Sequence, residues 1–169
     1  MDLICARRSI RKFKDTPVKR DILEEVIKAG MNAPSAMNQQ PWQFVIMEDR
    51  SCHQRILEVH PNAVPLTAAP VGLLVCGDLS RETAKGYWSI DCAAATENML
   101  LKITELGLGG CWLGIYPRQQ RVDALRDIIG APEHIVPFAL IAMGYPDESK
   151  GPKDIFDPER VHADRWGQK

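Results

Sequence analysis

APSAMNQQPWQFVIM, residues 33 to 47, is the stretch on which the reading of the whole chain turns. Pro34 and Pro41 restrict the backbone at either end, and Ser35, Asn38, Gln39 and Gln40 between them are polar groups suited to bonding nearby main chain or a ligand. Gln43 to Met47 then runs on as an apolar strand. Such a segment is either a plain helix-to-strand connector or a rigid loop with an adhesive lining. What weighs toward the second is Arg7-Arg8-Ser9-Ile10-Arg11 upstream. That run has two readings of its own: a solvated basic turn, or an anion site in which planar guanidinium forks are joined by the Ser9 hydroxyl and backbone N–H.

Working outward, residues 2 to 7 suit a short helix, and Lys19 to Ala29 an amphipathic one, with Ile22, Leu23, Val26 and Ile27 on one side and Gly30 as its stop. Asp49 or Ser51 caps a helix over Cys52 to Val59, and Pro61, Pro65 and Pro70 punctuate the loop after it. Val71 to Cys76 has the β-branched, wholly apolar character of a central strand. Residues 88 to 106 form the longest helical pattern, with Ile90, Ala93, Ala94, Leu100, Leu101, Ile103 and Leu106 spread round its circumference, so it is expected to be largely buried. Gly107, Gly109 and Gly110 end it, and Cys111 to Ile115 is a further strand. Arg118 to Ile129 is helical with Gly130 as its C-cap, Ile135 to Met143 is the last strand, and from Tyr145 a charged, proline-bearing tail wraps over a surface or reaches a partner. Strands alternating with helices point to a mixed α and β domain, and 169 residues at 45% hydrophobic content suit one domain over 1–169.

The formal net charge of -1 gives no global bias toward nucleic acid or an anionic membrane. Basic residues do gather between Arg7 and Arg20, where seven cations face only Asp15. No stacking surface of aromatic residues accompanies them, so nucleic-acid binding is a poor fit. The five cysteines form no CxxC pair, and no long apolar segment marks a signal or membrane span, so a cytoplasmic protein is expected. Neither GxGxxG nor GxxxxGK[ST] is present. His53, His60, His134 and His162 lack metal-ligand spacing and read as surface or partly buried residues, and Asp91 and Glu97 read as capping or surface groups. With no nucleophile motif either, the hard chemistry of any enzyme here falls to a cofactor.

Taken together, RRSIRKF at 7–13, AGMNAPSAMNQQPWQFVIM at 29–47, AAPVGLLVCGD at 68–78, DCAAATENMLLKITELGLGGCWLG at 91–114 and IAMGYP at 141–146 resemble the nitroreductase family of FMN-dependent oxidoreductases, in order and in spacing. The resemblance implies an α+β nitroreductase-like fold: a central, mostly antiparallel sheet flanked by helices, with the C-terminal tail extending to the partner subunit. It also implies that Arg7 and Ser9 meet phosphate or ribityl oxygens of FMN, with Arg8 the weaker candidate. Arg11 would lie by flavin N1 and the C2 carbonyl, where negative charge accumulates on reduction. Pro34, Ser35 and Ala36 match the loop that lies along the isoalloxazine of the other subunit, and Asn38 either fixes that loop or reaches the ring. A main-chain N–H of Leu113 or Gly114 would bond near flavin N5 and O4. Lys153, or failing it Arg160, would meet the phosphate, although Ile155 stands where many relatives are basic.

The activity so implied is hydride transfer from NADH or NADPH through flavin N5 to nitroaromatic, quinone or similar small-molecule acceptors, with ping-pong kinetics, in a homodimer whose active site lies at the subunit interface. No side chain is expected to act as a catalytic acid or base. Reductive dehalogenation or flavin fragmentation on the same fold, and a non-catalytic FMN sensor or carrier, are the alternatives. Steady-state NAD(P)H consumption with menadione separates the last from the first.

Overall fold

Every residue of β2, Val71–Asp78, is buried, so this strand needs cover on both faces and partners on both edges. The computed structural model, which describes residues 2–168, supplies them. β1 (Trp42–Met47) pairs with one edge of β2, and β4 (Ile135–Gly144) with the other. β3 (Gly109–Gly114) completes a four-stranded sheet of order β1-β2-β4-β3 in which every pairing is antiparallel. Pro137 cannot donate to the ladder, yet it lies in a central strand. The register slips there, Val75 facing Ala139 and Cys76 facing Pro137, and the resulting bulge at Phe138 accommodates it.

Helices cover both faces. α4, Trp88–Glu105, lies on one, burying Trp88, Cys92, Ala95, Met99, Leu100 and Ile103. α2 (Arg20–Met31) packs against α4, with the short α1 (Leu3–Ala6) nearby. α3 (Arg50–Val59) and α5 (Gln119–Ile129) pack together on the opposite face, where His53 of α3 approaches Gly72. Asp49 is the cap of α3, accepting from the Ser51 N–H at 2.8 Å. Gly130 ends α5 in the left-handed conformation, as its position after the last apolar residue implies.

Three expectations change. Gly30 does not stop α2; the helix runs on to Met31, and Gly30 is buried because a Cβ there would sit 2.9 Å from Met99 Cγ on α4. Gly109 and Gly110 do not end α4 but belong to β3, leaving Gly107, at φ 74°, as the turn after the helix. α4 is buried along one face and not all round, with Ile90 and Leu106 exposed. Among the described residues no helix is long and apolar enough to cross a membrane. The outer ends of the 1–169 span, Met1 and Lys169, lie outside the described residues.

Candidate functional site

Ile10 and Phe13 are apolar residues in a basic segment, and burying them fixes where its arginines point. Ile10 lies over Gly109, where a Cβ would approach Ile10 Cγ2 to 2.7 Å, so only glycine lets the N-terminal segment run this close to β3. Ser9 bridges Gly110 in parallel, and the Ile10 N–H donates to the Gly110 carbonyl at 3.0 Å. The first part of the tail then closes on the same segment. Lys14 N donates to Tyr145 O and Asp147 N to Lys12 O, both at 2.9 Å. Glu148 accepts from the Arg11 and Lys12 N–H groups at 2.5 and 3.3 Å, which holds its carboxyl below the usual carboxylate range, and the Lys150 ammonium 3.3 Å away adds to this. Lys150 Nζ donates to Ser9 O at 2.6 Å, Arg8 Nη1 to Gly151 O, and Lys153 N to Cys5 O at 2.9 Å.

The product is a cleft of about 270 Å³ lined by Arg7, Arg8, Ser9, Arg11, Lys150 and Lys153. Five cations and a hydroxyl form a donor set that fits a phosphate ester, which presents only acceptor oxygens. Arg7 is also tied to α4, its Nε 3.2 Å from Glu97 Oε1. Of the two tail cations named from the sequence, Lys153 lines this cleft, while Arg160 sits in a turn at Pro158–Arg160 and pairs with Asp157 at 3.0 Å. Lys150 was missed; its signal was its place three residues before Lys153 in KGPK. Pro34, Ser35, Ala36, Asn38, Leu113 and Gly114 do not line the cleft.

The 33–41 loop is built differently. Met37, Asn38 and Gln40 have φ of 49°, 53° and 46°, a left-handed run costing about 1 kcal/mol or more at each non-glycine residue. Buried polar bonds hold it there. Asp91, in the first turn of α4, accepts from Ala36 N at 2.9 Å and from Gln39 Nε2 at 2.7 Å. Gln39 Oε1 accepts in turn from the Thr83 and Ala84 N–H groups, each at 2.9 Å. Asp91 is therefore not the capping or surface group its position suggested; it is buried, and it anchors the loop. Ser35 Oγ accepts from Gln40 N at 3.1 Å, and Asn38 Oδ1 from Gln40 Nε2 at 3.2 Å, so Asn38 bonds within the loop.

Leu113 and Gly114 close β3. Leu113 is buried opposite Leu140, whereas a Cβ on Gly114 would meet nothing within 4 Å, leaving that backbone open to approach. Arg121 of α5 donates from Nη1 to Gly114 O at 2.7 Å, and the same nitrogen lies 3.3 Å from His60 Nε2. Burial, and then the Arg121 charge, push the His60 pKa down, so its imidazole is neutral at neutral pH. His60 and His53 are thus buried, not surface or partly buried residues. No metal-binding cluster of His, Cys, Asp and Glu occurs among the described residues.

Comparison with known proteins agrees with this architecture. The model of the nitroreductase family matches residues 4–70 and 61–145. A Methanothermobacter thermautotrophicus protein provisionally named an NADH dehydrogenase/NAD(P)H nitroreductase is 41% identical over 166 residues, which are 98% of this chain and 87% of that one. Among solved structures, a provisionally named NADH oxidase from Clostridium acetobutylicum superposes with a TM-score of 0.94 at 37% identity, over 98% of this chain and 100% of the other. A provisionally named nitroreductase from Desulfovibrio desulfuricans, solved in complex with FMN, gives 0.78 at 26% identity over 90% of each chain. The antiparallel sheet, the basic N-terminal cleft and similarity along nearly the whole length converge, and this chain belongs to the nitroreductase family.

Proposed function

We propose that this chain is an FMN-dependent oxidoreductase, a single domain over residues 1–169 that uses NADH or NADPH to reduce nitroaromatics, quinones or similar acceptors with ping-pong kinetics. The observation that carries the reading is the phosphate-fitting cleft of Arg7, Arg8, Ser9, Arg11, Lys150 and Lys153 in a chain whose family includes an FMN-bound structure. FMN, when bound, supplies the redox chemistry by taking up hydride from the nicotinamide and passing the electrons to the acceptor.

The chain's own residues position and stabilise. Arg7, Ser9 and Lys153 hold phosphate and ribityl oxygens, with Lys150 as a further cation and Arg8 braced against the tail. Arg11, its backbone N–H held by Glu148, lines the same cleft, and its guanidinium would be the charge that meets the pyrimidine end of the ring. The Leu113 and Gly114 backbone offers an N–H to the ring edge, at a place where no side chain obstructs approach. Pro34, Ser35, Ala36 and Asn38 belong to the site of a second copy. The exposed apolar side chains of Met37, Ile90, Phe156 and Trp166 support that division, since they suit a homodimer with the tail reaching its partner. All five cysteines are free, which suits the cytoplasm.

The deciding experiment is the visible spectrum of the purified protein before and after anaerobic addition of NADPH and then NADH. Flavin bands that bleach are the expected result. A colourless protein that takes up no added FMN overturns the reading, and bands that persist with both nucleotides favour a sensor or carrier.

A further inference from the structure

The Asp91–Gln39 pair has no part in the cleft, yet its bonds tie together more of the chain than any other buried polar group described above. Both side chains are more than nine-tenths buried, at 4% and 6% exposure. Their bonds join three separate segments: the 33–41 loop through Ala36 N, the start of α4 through Asp91 itself, and the 79–87 connection through Thr83 N and Ala84 N. The orientation of the Gln39 amide is forced, because its oxygen faces two backbone donors and its nitrogen faces the carboxylate. The loop so held is one that would relax without restraint, given positive φ at Met37, Asn38 and Gln40.

We propose that Asp91 and Gln39 are positioning residues, a buried clamp that preforms the 33–41 loop so that Pro34, Ser35 and Ala36 meet the flavin of the partner subunit in a fixed geometry, before any ligand binds. The proposal rests on the FMN reading above. Its logic is pre-organisation: a loop already ordered loses little entropy when it closes on a ligand, so loosening the clamp weakens binding without removing any contact to the ligand.

The bonding pattern prescribes its own test. In Asp91→Asn, the new amide nitrogen faces the Gln39 amide nitrogen, two donors together. In Gln39→Glu, two carboxylates face each other. In the double variant Asp91→Asn/Gln39→Glu every bond returns with its direction reversed between the two side chains. The carboxylate introduced at position 39 accepts from Thr83 N and Ala84 N with one oxygen and from the amide introduced at position 91 with the other, while the oxygen of that amide accepts from Ala36 N. Two quantities are compared across the four full-length proteins, well below their melting temperatures: amide hydrogen exchange of residues 35–40 without FMN, and the Kd for FMN. Each single variant is expected to exchange about tenfold faster in the loop and to bind FMN about tenfold more weakly, and the double variant to return to within about threefold of the wild type on both. Single variants that bind FMN like the wild type, or a double variant no better than the worse single, overturn the positioning role. If the wild type itself takes up no FMN, the oxidoreductase reading falls, and the exchange pattern alone upholds or overturns the clamp.

Discussion

The basic cleft and the 33–41 loop are built by opposite means. In the cleft the charged side chains stand at the surface, and the bonds that fix them come from main chain and tail: Glu148 on two backbone N–H groups, Lys150 on the Ser9 carbonyl, Arg8 on the Gly151 carbonyl. In the loop the anchoring side chain, Gln39, is buried and bonds the equally buried Asp91 of α4, while Met37, Asn38 and Gln40 face solvent. Groups that must meet a ligand's charge keep their side chains at the surface, so most of their support comes from the backbone, with ion pairs from Arg7 to Glu97 and from Lys150 to Glu148 beside it. A group that only fixes a shape can be spent entirely on internal bonds. The cleft should therefore respond to salt and pH with little loss of fold, and the clamp should respond to substitution with a large one.

The sharpest way to break this contrast is Asp91→Ala. It leaves Ala36 N and Gln39 Nε2 buried without an acceptor, at about 2–4 kcal/mol, which lowers the melting temperature on the order of 5–15 °C by calorimetry. A shift under about 2 °C would put Asp91 on the same footing as an exposed charge. Lys153→Ala is the counterpart in the cleft. It should barely move the melting temperature but weaken FMN binding about 10- to 100-fold in a fluorescence titration, whereas Arg160→Ala changes it less than about twofold. Equal losses from the two would return Arg160 to the site.

Acidification tests the latch between tail and N-terminal segment. The folded-state pKa of Glu148 is depressed, so its contribution is present above the ordinary carboxylate value and is lost as pH falls through the folded value. Retention of FMN should accordingly drop below about pH 4, and Glu148→Gln should blunt that drop. The smallest effect expected belongs to His60. Its pKa is lowered by burial, so the unfolded chain binds the proton more tightly and stability declines as pH falls below about 6.5. The decline should shrink in a His60→Asn variant followed by urea denaturation at pH 7 and pH 5.

The two regions also differ in how far they could be read from the residues alone. The cluster of cations between Arg7 and Arg20 stands out because an excess of charge in a short segment is a local pattern, and so is the unbroken apolar run of β2, whereas the roles of Ser9 and Lys153 came only with the family resemblance. The period of apolar residues likewise placed α2, α4 and α5 to within a few positions. Asp91 could not be found this way. Its partners Ala36 and Gln39 lie 55 and 52 residues away, and a carboxylate in the first turn of a helix looks the same whether water or a buried amide receives it. Gly30 was misread for a related reason: a glycine near a helix end suggests a stop, and only the approach of Met99 shows that it is needed for packing. Nor does the alternation of strands and helices say that the strands pair antiparallel, since that depends on which edges meet.

The meeting of the N-terminal segment and the tail at the cleft has a consequence for biosynthesis. β4 ends at Gly144, so every strand of the sheet precedes Glu148, Lys150 and Lys153 in the chain. A ribosome must pass Lys153 before residues 7–11 acquire the tail that latches them. Cofactor capture, on the reading proposed above, is thus confined to chains extended past that point, and a product cut short just after Gly144 would keep every strand of the sheet and lose the cleft.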